Sequence, residues 1–105
     1  GAKVNAANKK GDTALLGAAR NGKAAHVLAL VQAGADVNAA NDEGYTALIE
    51  AAQEGPAASV AILLQHGAKV NAATKEGVTA LFEAARNGHV DCLERLIKAG
   101  ADVHA

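Results

Sequence analysis

Residues 41–73 read NDEGYTALIEAAQEGPAASVAILLQHGAKVNAA, and this order of residue types occurs three times along the chain. Thr-Ala-Leu begins at Thr13, Thr46 and Thr79, which lie 33 residues apart with no insertion between copies. Three sets of glycines keep the same period, namely Gly11, Gly44 and Gly77; Gly22, Gly55 and Gly88; and Gly34, Gly67 and Gly100. A fixed period of this length is typical of a protein that stacks one structural unit on the next.

Each copy predicts a pair of helices. The threonine of Thr-Ala-Leu stands where a first helix should begin, because its hydroxyl can accept a free backbone N–H at a helix N-terminus. The glycine nine residues later, Gly22 in the first copy, ends that helix, and Gly34 ends the second one. The second helices carry apolar stripes, namely Val27, Leu30 and Val31; Val60, Leu63 and Leu64; and Leu93, Leu96 and Ile97. We expect Leu30, Leu63 and Leu96 to be buried.

The segment Asp36–Tyr45 connects one helix pair to the next. Its alternation is too short for a strand, and Gly44 supplies a turn residue, so it predicts an extended, hairpin-like finger. A helix pair of this size cannot bury its own apolar faces, whereas stacked copies can. We therefore expect an all-α solenoid that forms a single domain, with units at about 1–33, 34–66 and 67–99 and a partial unit at 100–105.

The pattern resembles the ankyrin repeat over the whole chain. The family frame Asp-x-x-Gly-x-Thr-Pro-Leu-His-x-Ala-Ala, then Gly-His, Leu-Leu and Gly-Ala-Asp-Val-Asn-Ala, fits residues 41–73 without a gap. Alanine replaces the usual proline in every copy, and the usual histidine is replaced by Leu16, Ile49 and Phe82. We expect these three apolar side chains to pack inside. The resemblance implies an ankyrin-type solenoid of helix-turn-helix repeats with hairpin-like fingers.

The same resemblance implies a protein–protein interaction module that binds another protein through its concave side, an inference by fold analogy. That side is formed by the finger tips and the exposed edges of the first helices. The residues at these positions are Lys9, Lys10, Asp12, Arg20, Asn21, Asp42, Glu43, Tyr45, Gln53, Glu54, Lys75, Glu76, Val78, Arg86 and Asn87. Tyr45 is expected to be an exposed anchor inside an acidic rim, since tyrosine is enriched at interface hot spots; the alternative is that its ring packs against its own helix or a neighbouring finger.

Charge varies strongly between the copies. The chain has a net charge of −1, but residues 1–33, 34–66 and 67–99 carry +4, −5 and +1. The finger tips read Lys9-Lys10, Asp42-Glu43 and Lys75-Glu76. Either neighbouring tips attract one another modestly, or the stripes select a partner with complementary charge. No global basic field indicates nucleic acid or an anionic membrane surface as a partner.

The chain offers no constellation for catalysis, metal binding or cofactor binding. Its one cysteine, Cys92, lies between apolar residues on a helix and is expected to be a small buried filler. The histidines occupy different copies, namely His26, His66, His89 and His104. A lone cysteine cannot form an internal disulfide and no apolar run spans a membrane, so we expect an intracellular monomer, in the cytoplasm or nucleus.

Two other functions stay open. The chain could be an engineered or excised repeat array that serves as a scaffold or a model for stability studies without a natural partner. More remotely, it could be an enzyme, in which case turnover would depend on Cys92. A modification is also expected, because ankyrin fingers resemble substrates of an intracellular asparaginyl hydroxylase that favours leucine eight residues before asparagine. Asn38 and Asn71 fit this spacing; alternatively, their amides bond their own finger backbone.

Overall fold

The computed structural model describes residues 3–103, so Gly1, Ala2, His104 and Ala105 lie outside the described residues. It contains six helices, which are α1 Ala14–Arg20, α2 Ala24–Gln32, α3 Ala47–Glu54, α4 Ala57–Gln65, α5 Ala80–Arg86 and α6 Val90–Lys98. Within residues 3–103 extended pairing is limited to two isolated antiparallel bridges, Ala40 with Thr46 and Ala73 with Thr79. The prediction of an all-α solenoid with short fingers is confirmed.

The first helices begin where the repeated threonines place them. The hydroxyls of Thr13, Thr46 and Thr79 accept hydrogen bonds from the N–H three residues later, at 3.3, 3.3 and 3.2 Å. Helix α3 ends at Gly55, whose φ of 103° lies in the left-handed region that favours glycine. A side chain there would also collide with the ring of His89, which lies 2.6 Å from the position of a Cβ atom. Gly55 is therefore required both by the turn and by the unit that follows.

The helices form two stacked rows. In the first row α1 packs against α3 and α3 against α5, and in the second row α2 packs against α4 and α4 against α6. The largest side chains of the middle unit, including Leu48, Ile49 and Leu63, are almost completely buried between these neighbours. The core is therefore one continuous layer that crosses all three units.

A ladder of asparagine side chains joins each unit to the next. The amides of Asn5, Asn38 and Asn71 donate to the carbonyl oxygens of the glycines that end the second helices, at 3.3, 3.0 and 3.5 Å. Their oxygens accept from the N–H of Asp36, Lys69 and Asp102 at 2.6, 2.8 and 2.7 Å. The alternative that Asn38 and Asn71 bond their own finger is therefore wrong; these amides bridge successive units.

Burial departs from the sequence-based expectation at both ends of the stack. Leu63 and Leu96 are fully buried, but Leu30 is only half-buried. Phe82, expected to pack inside, is 51% exposed, whereas Leu16 and Ile49 at the same repeat position are 1% exposed. A helix of the following unit packs against the units that hold Leu16 and Ile49, whereas no described helix follows α5 and α6. Leu30 lies at the other end of the stack, where no described helix precedes α1 and α2.

The stacking arrangement predicts a strong effect of truncating Leu63. Because its side chain is completely buried in the middle unit, Leu63→Ala should lower the free energy of unfolding by about 2–5 kcal/mol. Thermal melting measures the change, with Ile97→Ala as the matched control, because the Ile97 side chain is 47% exposed. Equal melting temperatures for the two variants would contradict the stacked core.

Candidate functional site

Each finger tip is shaped by one polar side chain at its start. The Asn41 side-chain oxygen accepts hydrogen bonds from the N–H groups of Glu43 and Tyr45, both at 3.0 Å. Asn8 makes the same pair of bonds in the first finger, and the Thr74 hydroxyl makes it in the third. These bonds fold the backbone back on itself, so the charged side chains at residues 9–10, 42–43 and 75–76 are exposed.

Backbone hydrogen bonds hold neighbouring tips at a fixed spacing. The N–H of Asp42 donates to the carbonyl of Lys10, and the N–H of Lys75 donates to the carbonyl of Glu43, both at 3.0 Å. Since one such bond links each tip to the next, the charges of the three fingers are presented as an ordered row.

An ion-pair network links α1 of the first unit to α3 of the second unit. The Arg20 guanidinium contacts Asp12 at 3.1 Å and Glu50 at 2.7 Å, and Asn41 donates to Asp12 at 3.0 Å. The hydrogen bonds from Arg20 and Asn41 lower the pKa of Asp12, and the two carboxylates raise the pKa of Arg20. Asp12 and Arg20 are therefore structural members of the site as well as candidate contacts.

Sequence reasoning missed Glu50, whose side chain is only 7% exposed. A signal was present, because this carboxylate interrupts the apolar run from Leu48 to Ala52 in the first turn of α3. A charge inside such a run requires a partner. Its partner, Arg20, lies 30 residues earlier on another unit. The spacing of residues along one helix cannot predict a contact with a different unit.

Three grooves lie along the finger tips and first helices. The first, of about 440 Å³, is lined by Lys10, Asp12, Arg20, Asn41, Asp42 and Glu43. The second, of about 430 Å³, is lined by Arg20, Asn41, Glu43, Tyr45, Glu50, Gln53 and Glu54. The third, of about 270 Å³, is lined by Glu43, Tyr45, Thr74, Lys75 and Glu76. We call these grooves together the finger-side surface; ten of the fifteen expected contact residues line it.

Tyr45 lies between the second and third grooves. Its ring is half-buried and packs against the core rather than standing free in solvent. Burial raises the pKa of its hydroxyl, and the surrounding carboxylates of Glu83, Glu50, Glu43 and Glu76 raise it further. The expectation of an exposed anchor is corrected: the ring is half-buried against the core, so only part of it is available to a partner.

The other expected contact residues lie outside these grooves. Arg86 pairs with Glu83 and lies 5.5 Å above the ring of Phe82, at the end of the stack. The Asn87 amide donates to the carbonyl of Gln53 at 3.3 Å. Lys9 is exposed and Val78 half-buried, while Asn21 lines a separate groove at the opposite end of the stack. The structure therefore does not gather these five residues with the other ten.

The reactive side chains are occupied in structural contacts. Cys92 is buried, its Sγ lies 3.3 Å from the carbonyl of Gly55, and burial raises its pKa, which disfavours the thiolate. The His89 Nε2 lies 3.0 Å from the carbonyl of Gln53. Among residues 3–103, no cluster of three or more His, Cys, Asp or Glu is placed to hold a metal ion. The helices of this part of the chain are all too short or too polar to cross a membrane.

Comparison with known families agrees with this architecture. The family model for ankyrin repeats, with three copies, matches residues 1–74 and again residues 41–105. The chain belongs to the ankyrin repeat family. Ankyrin repeats generally bind other proteins, are typically non-enzymatic and are common in intracellular proteins. No curated protein matches this ankyrin chain.

The ion-pair network predicts a pH-dependent loss of stability. Arg20→Gln leaves the buried Glu50 carboxylate without its cation and should cost about 1–3 kcal/mol near pH 7. Because folding lowers the pKa of Asp12 below its ordinary 3.8, the contact of Asp12 with Arg20 contributes stability above that pH and loses it as the pH falls through the lowered value. The difference between Arg20→Gln and the parent should therefore narrow in acid.

Urea unfolding at a series of pH values measures this difference. Lys23→Gln is the matched control, because it removes one positive charge from an exposed side chain at the start of α2 that forms no ion pair within residues 3–103. A loss of stability that is equal for the two variants, or that is independent of pH, would assign no role to the network.

Proposed function

We propose that the chain is a protein–protein interaction domain that binds its partner through the finger-side surface. The observation that carries this proposal is the position of Glu43, which lines all three grooves and so joins them into one surface. This surface crosses all three units, and the tip-to-tip backbone bonds fix its spacing. A preformed surface of this kind loses little conformational entropy when a partner binds.

The order of charges indicates the partner. Along the row of tips a basic pair, Lys9-Lys10, is followed by an acidic pair, Asp42-Glu43, and then by the mixed pair Lys75-Glu76. Glu54 adds a further exposed carboxylate beside the second groove. We infer a partner whose central contact residues are basic, because a complementary order of charges steers encounter and fixes register. The exposed part of the Tyr45 ring supplies an apolar contact at the same place.

We further infer that the three units act as one domain inside the cell, in the cytoplasm or nucleus. The inter-unit ladder supports a single domain, since every unit is tied to its neighbour by side-chain and backbone bonds. The location rests on the family, whose repeats are common in intracellular proteins.

Charge reversal at Glu43 tests the binding surface. Glu43→Lys places a cation where all three grooves meet and should weaken binding of a partner at least about tenfold, which corresponds to about 1.4 kcal/mol. Glu94→Lys is the matched control: it makes the same exchange at an exposed glutamate on α6, away from the fingers. Affinity capture of cell proteins by the parent and both variants, followed by titration of the protein recovered, measures the difference.

The proposal requires a protein that the parent and Glu94→Lys retain and Glu43→Lys loses, with unchanged melting temperatures. Equal retention by both variants would move the binding site away from the finger-side surface. If none of the three chains retained a protein, the alternative of a scaffold without a natural partner would be favoured.

Asn38 and Asn71 are also proposed as sites of asparaginyl hydroxylation, with Asn71 the preferred one. The Asn71 side chain is exposed and its amide donates to the Gly100 carbonyl at 3.5 Å, whereas Asn38 is half-buried and its amide donates to the Gly67 carbonyl at 3.0 Å. Since a hydroxylase has to release the amide from this ladder, the looser site should react first. Peptide mass spectrometry after incubation with the enzyme should find added oxygen mainly on Asn71. Oxygen on neither residue, or mainly on Asn38, would contradict this order.

A further inference from the structure

The first and third grooves of the finger-side surface occupy the same place in successive units. The first groove is lined by Lys10, Asp12, Asn41, Asp42 and Glu43 together with Arg20. The five residues that line the third groove lie 33 positions after the first five, namely Glu43, Tyr45, Thr74, Lys75 and Glu76. The two grooves therefore share one backbone frame, in which Gln53 corresponds to Arg20. They differ in the side chains that this frame carries.

The first groove holds an arginine of the chain itself. The Arg20 guanidinium donates to the two carboxylate oxygens of Asp12 at 3.1 and 3.3 Å, and to Glu50 at 2.7 Å. Two N–H groups on the two oxygens of one carboxylate are the contact for which a planar guanidinium is best suited. The groove between the first two fingers therefore accommodates a guanidinium, which the chain supplies.

The residues that line the third groove offer acceptors for a cation, and none of these five is an arginine. The rim carries the exposed carboxylates of Glu43 and Glu76, and neither forms an ion pair within residues 3–103. The half-buried ring of Tyr45 stands where the first groove has Asp12. Burial raises the pKa of the Tyr45 hydroxyl and the nearby glutamates raise it further, so the potential at this ring is negative. Lys75 adds a single positive charge to the lining.

The third groove differs from the first because the sequence changes at one repeat position. Gln53 is neutral and stands where the first unit has Arg20. Glu83, the repeat equivalent of Glu50, takes its cation from Arg86 on its own helix instead. The second unit contains no Lys or Arg at all. It therefore directs no positive charge toward the third groove, and the two rim carboxylates remain available to another molecule.

Arginine suits an aromatic ring that lies beside carboxylates, and the chain contains an example. The Arg86 guanidinium lies 5.5 Å from the centre of the Phe82 ring while it also pairs with Glu83. A guanidinium makes both contacts at once because its flat face stacks on the ring and its N–H groups donate from the edge. A lysine ammonium has no flat face and is more strongly hydrated. The contacts that the third groove offers therefore favour arginine over lysine.

We propose that an arginine side chain of the partner enters the third groove, where its guanidinium stacks on the exposed part of the Tyr45 ring and donates to the carboxylates of Glu43 and Glu76. This contact rests on the proposed function, because the partner has to lie on the finger-side surface for its arginine to reach the groove. The groove has a volume of about 270 Å³, below the roughly 300–1,000 Å³ of sites for small molecules, so it fits one side chain of a larger partner.

A short peptide tests the groove without the partner itself. The tripeptide acetyl-Gly-Arg-Gly-amide, titrated to about 100 mM at constant ionic strength, should shift the NMR signals of the backbone N–H groups at residues 43–45 and 74–76, since contact through one side chain is weak. The same peptide with lysine in place of arginine should bind at least about twofold more weakly, because it lacks the stacked contact. Tyr45→Val introduces the residue that the third unit has at this position. This loss of the ring should weaken binding of the arginine peptide by about two- to fivefold.

Filling the third groove from inside the chain gives the sharpest result. Gln53→Arg introduces the arginine that the first groove has at this position, so its own guanidinium should weaken binding of the arginine peptide at least about tenfold. Gln65→Arg is the matched control, because it adds the same charge at an exposed glutamine that ends α4, in the other row of helices. It should leave binding of the peptide unchanged. Melting curves check that each variant folds.

Three results with the peptides would overturn the proposal. They are an absence of shifts at the third groove, equal binding of the arginine and lysine peptides, and unchanged binding in Gln53→Arg. The protein captured by the parent chain separates this failure from failure of the proposed function. A captured protein that Glu43→Lys loses and Gln53→Arg retains would leave the finger-side surface as the binding surface but remove the arginine contact. One that Glu43→Lys retains would contradict both.

Discussion

The packing of one helix pair on the next is the contact on which the rest of this structure depends. No single unit has enough apolar surface facing its own helices to close a core, and side chains such as Ile49 and Leu63 are buried only because a neighbour lies on each side. Full burial of one such side chain contributes about 1.5–3 kcal/mol. Phe82 occupies the repeat position of Leu16 and Ile49, but no described helix follows it, and its side chain is exposed.

The polar contacts between units have a different role from the apolar ones. The asparagine ladder is exposed or half-buried, so each of its hydrogen bonds exchanges with water and contributes little net free energy. These bonds are directional, however, and an amide that donates to a glycine carbonyl and accepts from an N–H two residues further on permits only one offset between units. Apolar contact therefore supplies most of the stability, and the ladder sets the register that aligns the finger tips.

Much of the fold could be predicted from the sequence, because its signals are local. The capping threonines and the left-handed glycines each act within a few residues, and the first helix of each unit begins after its threonine and ends next to its glycine. Non-local properties could not be predicted. Whether Leu30 or Phe82 is buried depends on what lies beyond the end of the stack, and the partner of Glu50 lies on another unit.

The candidate site shows the same difference between local signals, which the sequence reveals, and non-local contacts, which it does not. Ten expected contact residues line the finger-side surface because the repeat alone places finger tips and first-helix edges on one side. Arg86 and Asn87 occupy equivalent positions, but the last unit directs them into contacts with Glu83 and with the carbonyl of Gln53. A repeat pattern therefore predicts which side a residue lies on, while its neighbours decide whether it is free to bind.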